Sequence, residues 1–322
     1  MTDEHPEGGT ERSTQRYLAA KRTVDDRALD PDAFGTFESG LPDGARVLEV
    51  AAGVGTMLER LLERDTLPAR ATYTMLDIDP ANVTAARQRL PSTADSIGYD
   101  VSTARLPPGL FPDGAESFAL ALGRGDRELV VRAGVADVFD FAPRVAGDRT
   151  WNALVAGAFL DIAPGPEVVE SLFRLAPGGT FYFPITFDGA TQFHPSDGDP
   201  AFERRLERRW HAGMRAGEDP NDPRAGSRLP RWVRAAGGAV EAVGGSTWVV
   251  QPDGSGTGYP ADERYFLRHI LGFLEGSLLD DEELAGGRVR SWLARRRRQL
   301  DAADLTYVAH NVDVAGSVGT PR

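Results

Sequence analysis

The stretch Val47-Leu48-Glu49-Val50-Ala51-Ala52-Gly53-Val54-Gly55 passes from a short apolar run into a turn of small residues. Directly after it, Met57, Leu58, Leu61 and Leu62 recur at helical spacing within 56–64. The stretch reads as strand, tight turn, helix. Gly53 and Gly55 let the backbone bend sharply and approach a ligand where a Cβ would collide. The start of the helix points its amide groups at the same place.

Downstream the alternation repeats. A second strand over 71–76 ends at Asp77-Ile78-Asp79-Pro80, where Asp79 suits a helix cap and Pro80 its first turn. Further strands are expected at 129–135, ending near Asp137, at 153–156 and at 180–185. A helix over 166–175 and the turn Pro177-Gly178-Gly179 separate the last two. Two more strands, 247–250 and 305–312, bracket helical stretches at 262–274 and 281–300. The chain therefore reads as α/β, with a Rossmann-like seven-stranded, mostly parallel sheet, helices on both faces, an N-terminal cap and a lid-like insertion. The expected divisions are a disordered tail over 1–15, a cap helix within 16–44, and a main domain over 45–322. Within that domain, the insertion 190–229 and the helical segment 262–300 are placed to form the acceptor side.

Bulk composition narrows the function classes. The 322 residues carry a formal charge of −12, which suits a broad phosphate-gripping surface poorly and disfavours nucleic acid as substrate. The absence of cysteine excludes disulfides, thiolate nucleophiles and Cys-ligated metal. Lys21 is the only lysine, so nearly all positive charge is arginine. With no long apolar run and a polar N-terminus, a cytoplasmic protein without a membrane span is expected.

Three acids, Glu49, Asp77 and Asp137, stand at or just past the ends of the first three expected strands. Each alone reads as a cap or a solvated turn residue. Together they converge, because the carboxyl ends of adjacent parallel strands border one crevice. A dinucleotide would need a third glycine, but the position is Leu58 counted from Gly53 and Thr56 counted from Ala51. Glu49 would also repel a pyrophosphate, whereas it suits an α-amino group.

At this point the residues resemble a known family. Val47–Gly55 looks like the first motif of class I S-adenosylmethionine-dependent methyltransferases, Tyr73–Pro80 their second and Ala136–Phe139 their third. Leu175-Ala-Pro-Gly-Gly179 is similar to their turn into strand five, and 305–314 to their antiparallel last strand. The resemblance implies S-adenosyl-L-methionine as cofactor. It would set Glu49 by the methionine amino group, Ala51, Gly53 and Gly55 along methionine and ribose, Asp77 with Ile78 at the ribose, and Asp137 and Val138 at adenine. Ala51 departs from the pattern by replacing a glycine, for which a slightly tighter loop is expected. In this family an N-terminal helix often covers the cofactor, so Tyr17, Lys21 or Arg27 would meet the methionine carboxylate; a packed cap helix with surface charges is the alternative.

Methyl transfer from a sulfonium chiefly needs alignment and exclusion of water, and needs a base only if the acceptor must lose a proton. No catalytic residue is legible. His194, after strand five, and His310, on the last strand, are the candidates, against roles as a solvated loop histidine and a satisfied core histidine. His5 falls in the tail, His211 on a lid-like helix, and His269 on an amphipathic helix. No metal site is expected; His194 with Asp197 and Asp199 offers a single imidazole. The clusters Arg204–Arg209 and Arg295–Arg298 read as solvated helix faces. The expected function is methyl transfer to O, N or C of a small molecule. The alternatives are an NAD-type oxidoreductase and a non-catalytic cofactor-binding scaffold.

Overall fold

A computed structural model describes residues 7–145, 151–196, 198–214, 221–254 and 258–320. His5 and Asp197 lie outside the described residues, as does part of the 190–229 insertion. Three helices open the chain, α1 (Glu7–Ala20), α2 (Arg22–Ala28) and α3 (Pro31–Ser39). They lead to β1 (Ala45–Val50), α4 (Thr56–Glu63), β2 (Arg70–Asp77) and α5 (Pro80–Ser96). Next come β3 (Asp100–Thr103), β4 (Ser117–Arg124), β5 (Arg127–Val135), α6 (Val138–Val145), β6 (Ala153–Ala156), α7 (Pro166–Phe173) and β7 (Thr180–His194). The chain finishes with α8 (Pro200–Gly213), α9 (Ala225–Ala235), β8 (Ala239–Gly245), β9 (Trp248–Val250), α10 (Glu263–Leu278), α11 (Gly286–Asp301) and β10 (Thr306–Ser317).

The fold is α/β. The strands join one sheet in the order β3-β4-β5-β2-β1-β6-β7-β10-β8, with β9 pairing β10. From β5 to β7 the pairings are parallel, whereas β10 runs antiparallel to β7. The direction of winding reverses between β1 and β6. That switch point opens a crevice beyond the carboxyl ends of the strands, where doubly wound sheets bind ligands.

Strand β1 illustrates why the sequence folds this way. Val47 packs with Leu58, Leu61, Tyr73 and Leu90 on one face of the sheet. Leu48 and Val50 pack with Leu154, Phe181 and Phe183 on the other. A strand buried on both faces needs an apolar run rather than an alternation, and its period of two puts Glu49 on the Val47 face. A third cluster unites the lid with the cap, because Ala20 and Val24 share a core with Phe266, Ile270, Leu274 and Tyr307. The cap and the 262–300 helices, separate in the sequence reading, are thus one body over the crevice.

The sheet has ten strands rather than seven. Strands β3 and β4 extend one edge as antiparallel partners of β5, and β8 closes the other. Strand β8 alternates exposed and half-buried residues and has no buried face of its own, so it lacks the apolar signature of a core strand. The expected disorder over 1–15 also fails from Glu7 onward, where α1 begins. Gln15 Nε2 reaches Asn82 Oδ1 at 2.9 Å. Once that end is anchored, each upstream residue adds a helical bond without the nucleation cost.

Charge ties the cap to the sheet helices. Fully buried Glu59 on α4 accepts from Arg22 Nη1 on α2 at 2.9 Å, from Arg89 Nη2 on α5 at 2.9 Å, and from Thr93 Oγ1 at 3.0 Å. Glu59→Ala is expected to lower unfolding free energy by about 3 kcal/mol in urea titration, the low end for breaking a buried pair because both arginines keep some solvent. A loss below about 1 kcal/mol would show the network to be dispensable.

Candidate active site

Three adjoining cavities fill the crevice. The outer one, 560 Å³, lies between the Asp77-Ile78 and Asp137-Val138-Phe139 turns and the loop carrying Phe159 and Ile162. The next, 240 Å³, runs inward past Glu49, Ala52, Gly53, Lys21 and Arg60. These two share Ala51, Asp77 and Ile162. The innermost, 180 Å³, is lined by the cap, the lid and β10, and shares Ala158 and Ile185 with the second.

The outer cavity is an apolar slot. Ile78 is 69% exposed, Phe139 44% and Ile162 55%, and all three face it. Large apolar side chains left open on facing turns suit a flat aromatic ligand. Asp137 Oδ1 accepts from the Phe139 backbone N–H at 2.8 Å, which caps α6.

At the waist, Asp77 holds the glycine loop. Its Oδ2 accepts from Gly53 N–H at 2.7 Å, and its Oδ1 accepts from Asp79 N–H at 2.9 Å and Asn82 Nδ2 at 3.1 Å. Burial raises its carboxyl above the usual range, against the pull of these hydrogen bonds. Two further loop amides are engaged, Ala52 N–H on Leu76 O and Gly55 N–H on Ala52 O.

The second cavity ends in mixed charge. Glu49 is 4% exposed and accepts from Tyr73 Oη at 3.0 Å. Burial pushes its carboxyl up to about 8, opposed by the Tyr73 bond and nearby Arg60. Lys21 lines the same cavity and pairs with Asp25 at 3.3 Å. Arg60, which carried no signal in the sequence, lies 3% exposed on the cavity wall. It pairs with Asp26 through Nε, while its buried Nη2 has no hydrogen-bond partner among the described residues. An anion at this end would complete it.

The walls hold strained backbone. Ala51, Ala158 and Ile185 have φ of 51°, 49° and 57°. Left-handed backbone costs a non-glycine residue roughly 1–2 kcal/mol, and it persists where the surroundings enforce it. At Ile185 the enforcement is visible: its N–H donates to Asp313 Oδ1 at 2.7 Å, while Asp313 Oδ2 accepts from Tyr182 Oη at 2.8 Å and Asp30 N–H at 3.0 Å. Ala51 therefore does more than tighten its loop, since it holds a conformation that glycine would adopt freely.

Several sequence candidates are drawn elsewhere. Arg27 is committed to Glu263 at 2.6 Å and lines none of the three cavities. Tyr17 lies at the innermost cavity rather than beside the charged one. His194 sits exposed at the far end of β7 against Gln192, because β7 continues well past 185. His310 is engaged by Thr247 Oγ1 at 2.8 Å, while its strand neighbours Ala309 and Asn311 line the innermost cavity. Neither histidine reaches the crevice. Among the described residues no group of three or more acids and histidines could hold a metal, and no helix is long and apolar enough to cross a membrane.

No family model matches the chain, and no curated protein matches it. Solved structures do. One, from Haloferax volcanii, is described as a complex between the Trm112 methyltransferase activator and a methyltransferase; identity is 13%, coverage 98% of this chain and 100% of that one, and TM-score 0.46. A chain from Bacillus halodurans C-125, described as a methyltransferase, is 11% identical over 90% of this chain and 100% of its own, with TM-score 0.47. A SAM-dependent methyltransferase from Thiobacillus denitrificans, solved with S-adenosyl-L-homocysteine, is 17% identical over 92% and 97%, with TM-score 0.40. Likeness at this level assigns no activity to the chain.

Proposed function

We propose that the chain is an S-adenosyl-L-methionine-dependent methyltransferase acting on a small molecule at O, N or C. The observation that carries this reading is the order of chemistry along one crevice. An apolar slot between Ile78 and Phe139 is followed by a waist acid, Asp77, and then by Glu49 beside Lys21 and Arg60. A purine, a diol and an amino-acid zwitterion present complementary groups in that order and spacing along one molecule. Asp137 and Val138 serve the base edge. Ala51, Gly53 and Gly55 bring the backbone close at the centre, and Lys21 with Arg60 faces the carboxylate. The cofactor contributes an activated methyl group; the chain contributes alignment and an acceptor chamber.

The oxidoreductase alternative loses support from the missing third glycine and the buried Glu49. Calorimetry separates the readings: S-adenosyl-L-methionine and S-adenosyl-L-homocysteine are expected to bind at micromolar Kd, and NAD at least a hundredfold more weakly. Binding of NAD alone would end the methyltransferase reading. A chain that binds both adenosyl compounds but methylates nothing across amine, phenol and acid panels would be the non-catalytic scaffold.

A further inference from the structure

The innermost cavity carries a chemistry of its own. Tyr17, Phe187, Trp210, Trp248, Phe273 and Tyr307 form its aromatic walls. Asp161, on the loop between β6 and α7, lies among them with a solvent-free Oδ1 that has no hydrogen-bond partner among the described residues. The other acids nearby are occupied. Asp222 pairs with Arg228 and accepts from Arg224 N–H at 3.0 Å. Asp25 pairs with Lys21 and accepts from Trp248 Nε1 at 3.0 Å. Among the described residues no lysine or arginine lines this cavity.

An acceptor bearing a carboxylate or phosphate would find no lysine or arginine on the cavity wall and the Asp161 carboxylate opposite. A cation would find both the carboxylate and the faces of aromatic rings. Resting on the methyltransferase reading, we propose that the acceptor is a small amine that arrives as its ammonium, and that Asp161 binds it and takes its proton. The N–H bond breaks to Asp161. The freed nitrogen lone pair then forms the N–C bond to the methyl group, as the methyl–sulfur bond breaks with its electron pair going to sulfur. The products are the N-methylammonium and S-adenosylhomocysteine, and the proton on Asp161 leaves to solvent. The 180 Å³ chamber limits the amine to a size below that of drug-like ligands.

The charge state of Asp161 fits this work. Burial pushes its carboxyl up to about 6, against its own backbone amide and Lys21. Besides Asp161, the ionisable groups lining the chamber are Tyr17 from α1, Asp222 ahead of α9 and Tyr307 from β10; Lys21, between α1 and α2, and Asp25 of α2 line the adjoining cavity, from which Lys21 acts on the Asp161 carboxyl. His269 of α10 stacks on Tyr17 at 4.5 Å and is held toward its neutral form by burial. Asp161 is thus ionised at neutral pH and protonated in mild acid, where ammonium affinity is expected to fall tenfold per pH unit below about 6.

The test is titration of propylammonium, propanol and propionate into the full chain by calorimetry, with and without S-adenosyl-L-homocysteine. Propylammonium is expected to bind at least tenfold more tightly than the other two. Asp161→Asn is expected to remove that preference while keeping homocysteine-cofactor affinity within about twofold, and to retain the fold because it keeps the side chain's shape and removes charge from an Oδ1 that has no hydrogen-bond partner among the described residues. Phe273→Ala, at a position 46% exposed, is expected to weaken propylammonium about threefold to tenfold at unchanged melting temperature. In turnover with an amine, Asp161→Asn is expected to lower kcat about 10²–10⁴-fold. Preference for propionate, absence of propylammonium binding, or equal binding by Asp161→Asn would each overturn the assignment. Failure of the adenosyl compound to bind would instead overturn the methyltransferase reading, which the cofactor-free titration does not depend on.

Discussion

Asp77→Asn is expected to weaken S-adenosyl-L-homocysteine binding at least a hundredfold in calorimetry. The substitution keeps shape and removes charge, so it isolates what the carboxylate does. A carboxylate has about four lone-pair sites, and three are taken by Gly53 N–H, Asp79 N–H and Asn82 Nδ2. An asparagine offers one oxygen and an amide that can only donate. Placed either way, its NH₂ meets a donor, at Gly53 on one side or at Asp79 and Asn82 on the other. Each buried donor left without an acceptor costs about 1–3 kcal/mol. The glycine loop then loses its tie to β2, and the oxygen facing the proposed ribose loses an open lone pair. Two losses of this size multiply to a hundredfold or more, at roughly 1.4 kcal/mol per tenfold. The melting temperature should fall as well, and cofactor should rescue less of it than in the parent chain. Unchanged affinity with a lowered melting temperature would reduce Asp77 to a loop latch and remove the diol from the waist.

That dual role explains how much of this site could be read from sequence. The strands ending at Glu49 and Asp77 were legible because parallel strands buried on both faces must be apolar throughout, and because glycine is needed where the backbone turns left-handed at φ 55° and 86°. Asp161 was not legible. It follows Gly157 on an irregular loop, and its burial comes from α1 and the segment around Asp222, which no local pattern announces. Arg60 was hidden for the same reason, since on the helix it looks like any solvated charge until α2 packs over it. His194 was misplaced because β7 carries nine residues beyond 185, about 30 Å of strand at roughly 3.3 Å per residue. Sequence periodicity shows where a strand begins to be buried, and less well where it stops.

Glu49 gives the second large effect, and it is a proton count. Buried at the inner end with Tyr73 as its hydrogen-bond partner, its carboxyl titrates at about 8. At pH 7 the free chain therefore holds it protonated. An α-ammonium placed against it favours the carboxylate and drives the proton out, so cofactor binding is expected to release up to about one proton. Calorimetry at pH 7 in buffers of different ionisation enthalpy reads this as the slope of apparent enthalpy. Affinity should rise between pH 6 and pH 8 and level off above. Stability of the free chain runs the other way. With the folded pKa raised from 4.5 to about 8, the unfolded state ionises first, so this group's contribution declines as pH rises through that window. Glu49→Gln keeps the shape and can still accept from Tyr73, but cannot ionise. It is expected to abolish the proton release, flatten the pH profile of binding, weaken the cofactor about a hundredfold at pH 8 and less at pH 6, and melt higher than the parent at pH 8 without ligand. Variant stabilisation together with ligand weakening is what a buried acid kept for a cation predicts; a structural acid would lose stability and leave binding untouched. Zero proton release in the parent chain would place the cofactor's amino group elsewhere, and the charged end of the crevice would then have to be reassigned to Lys21 and Arg60 alone.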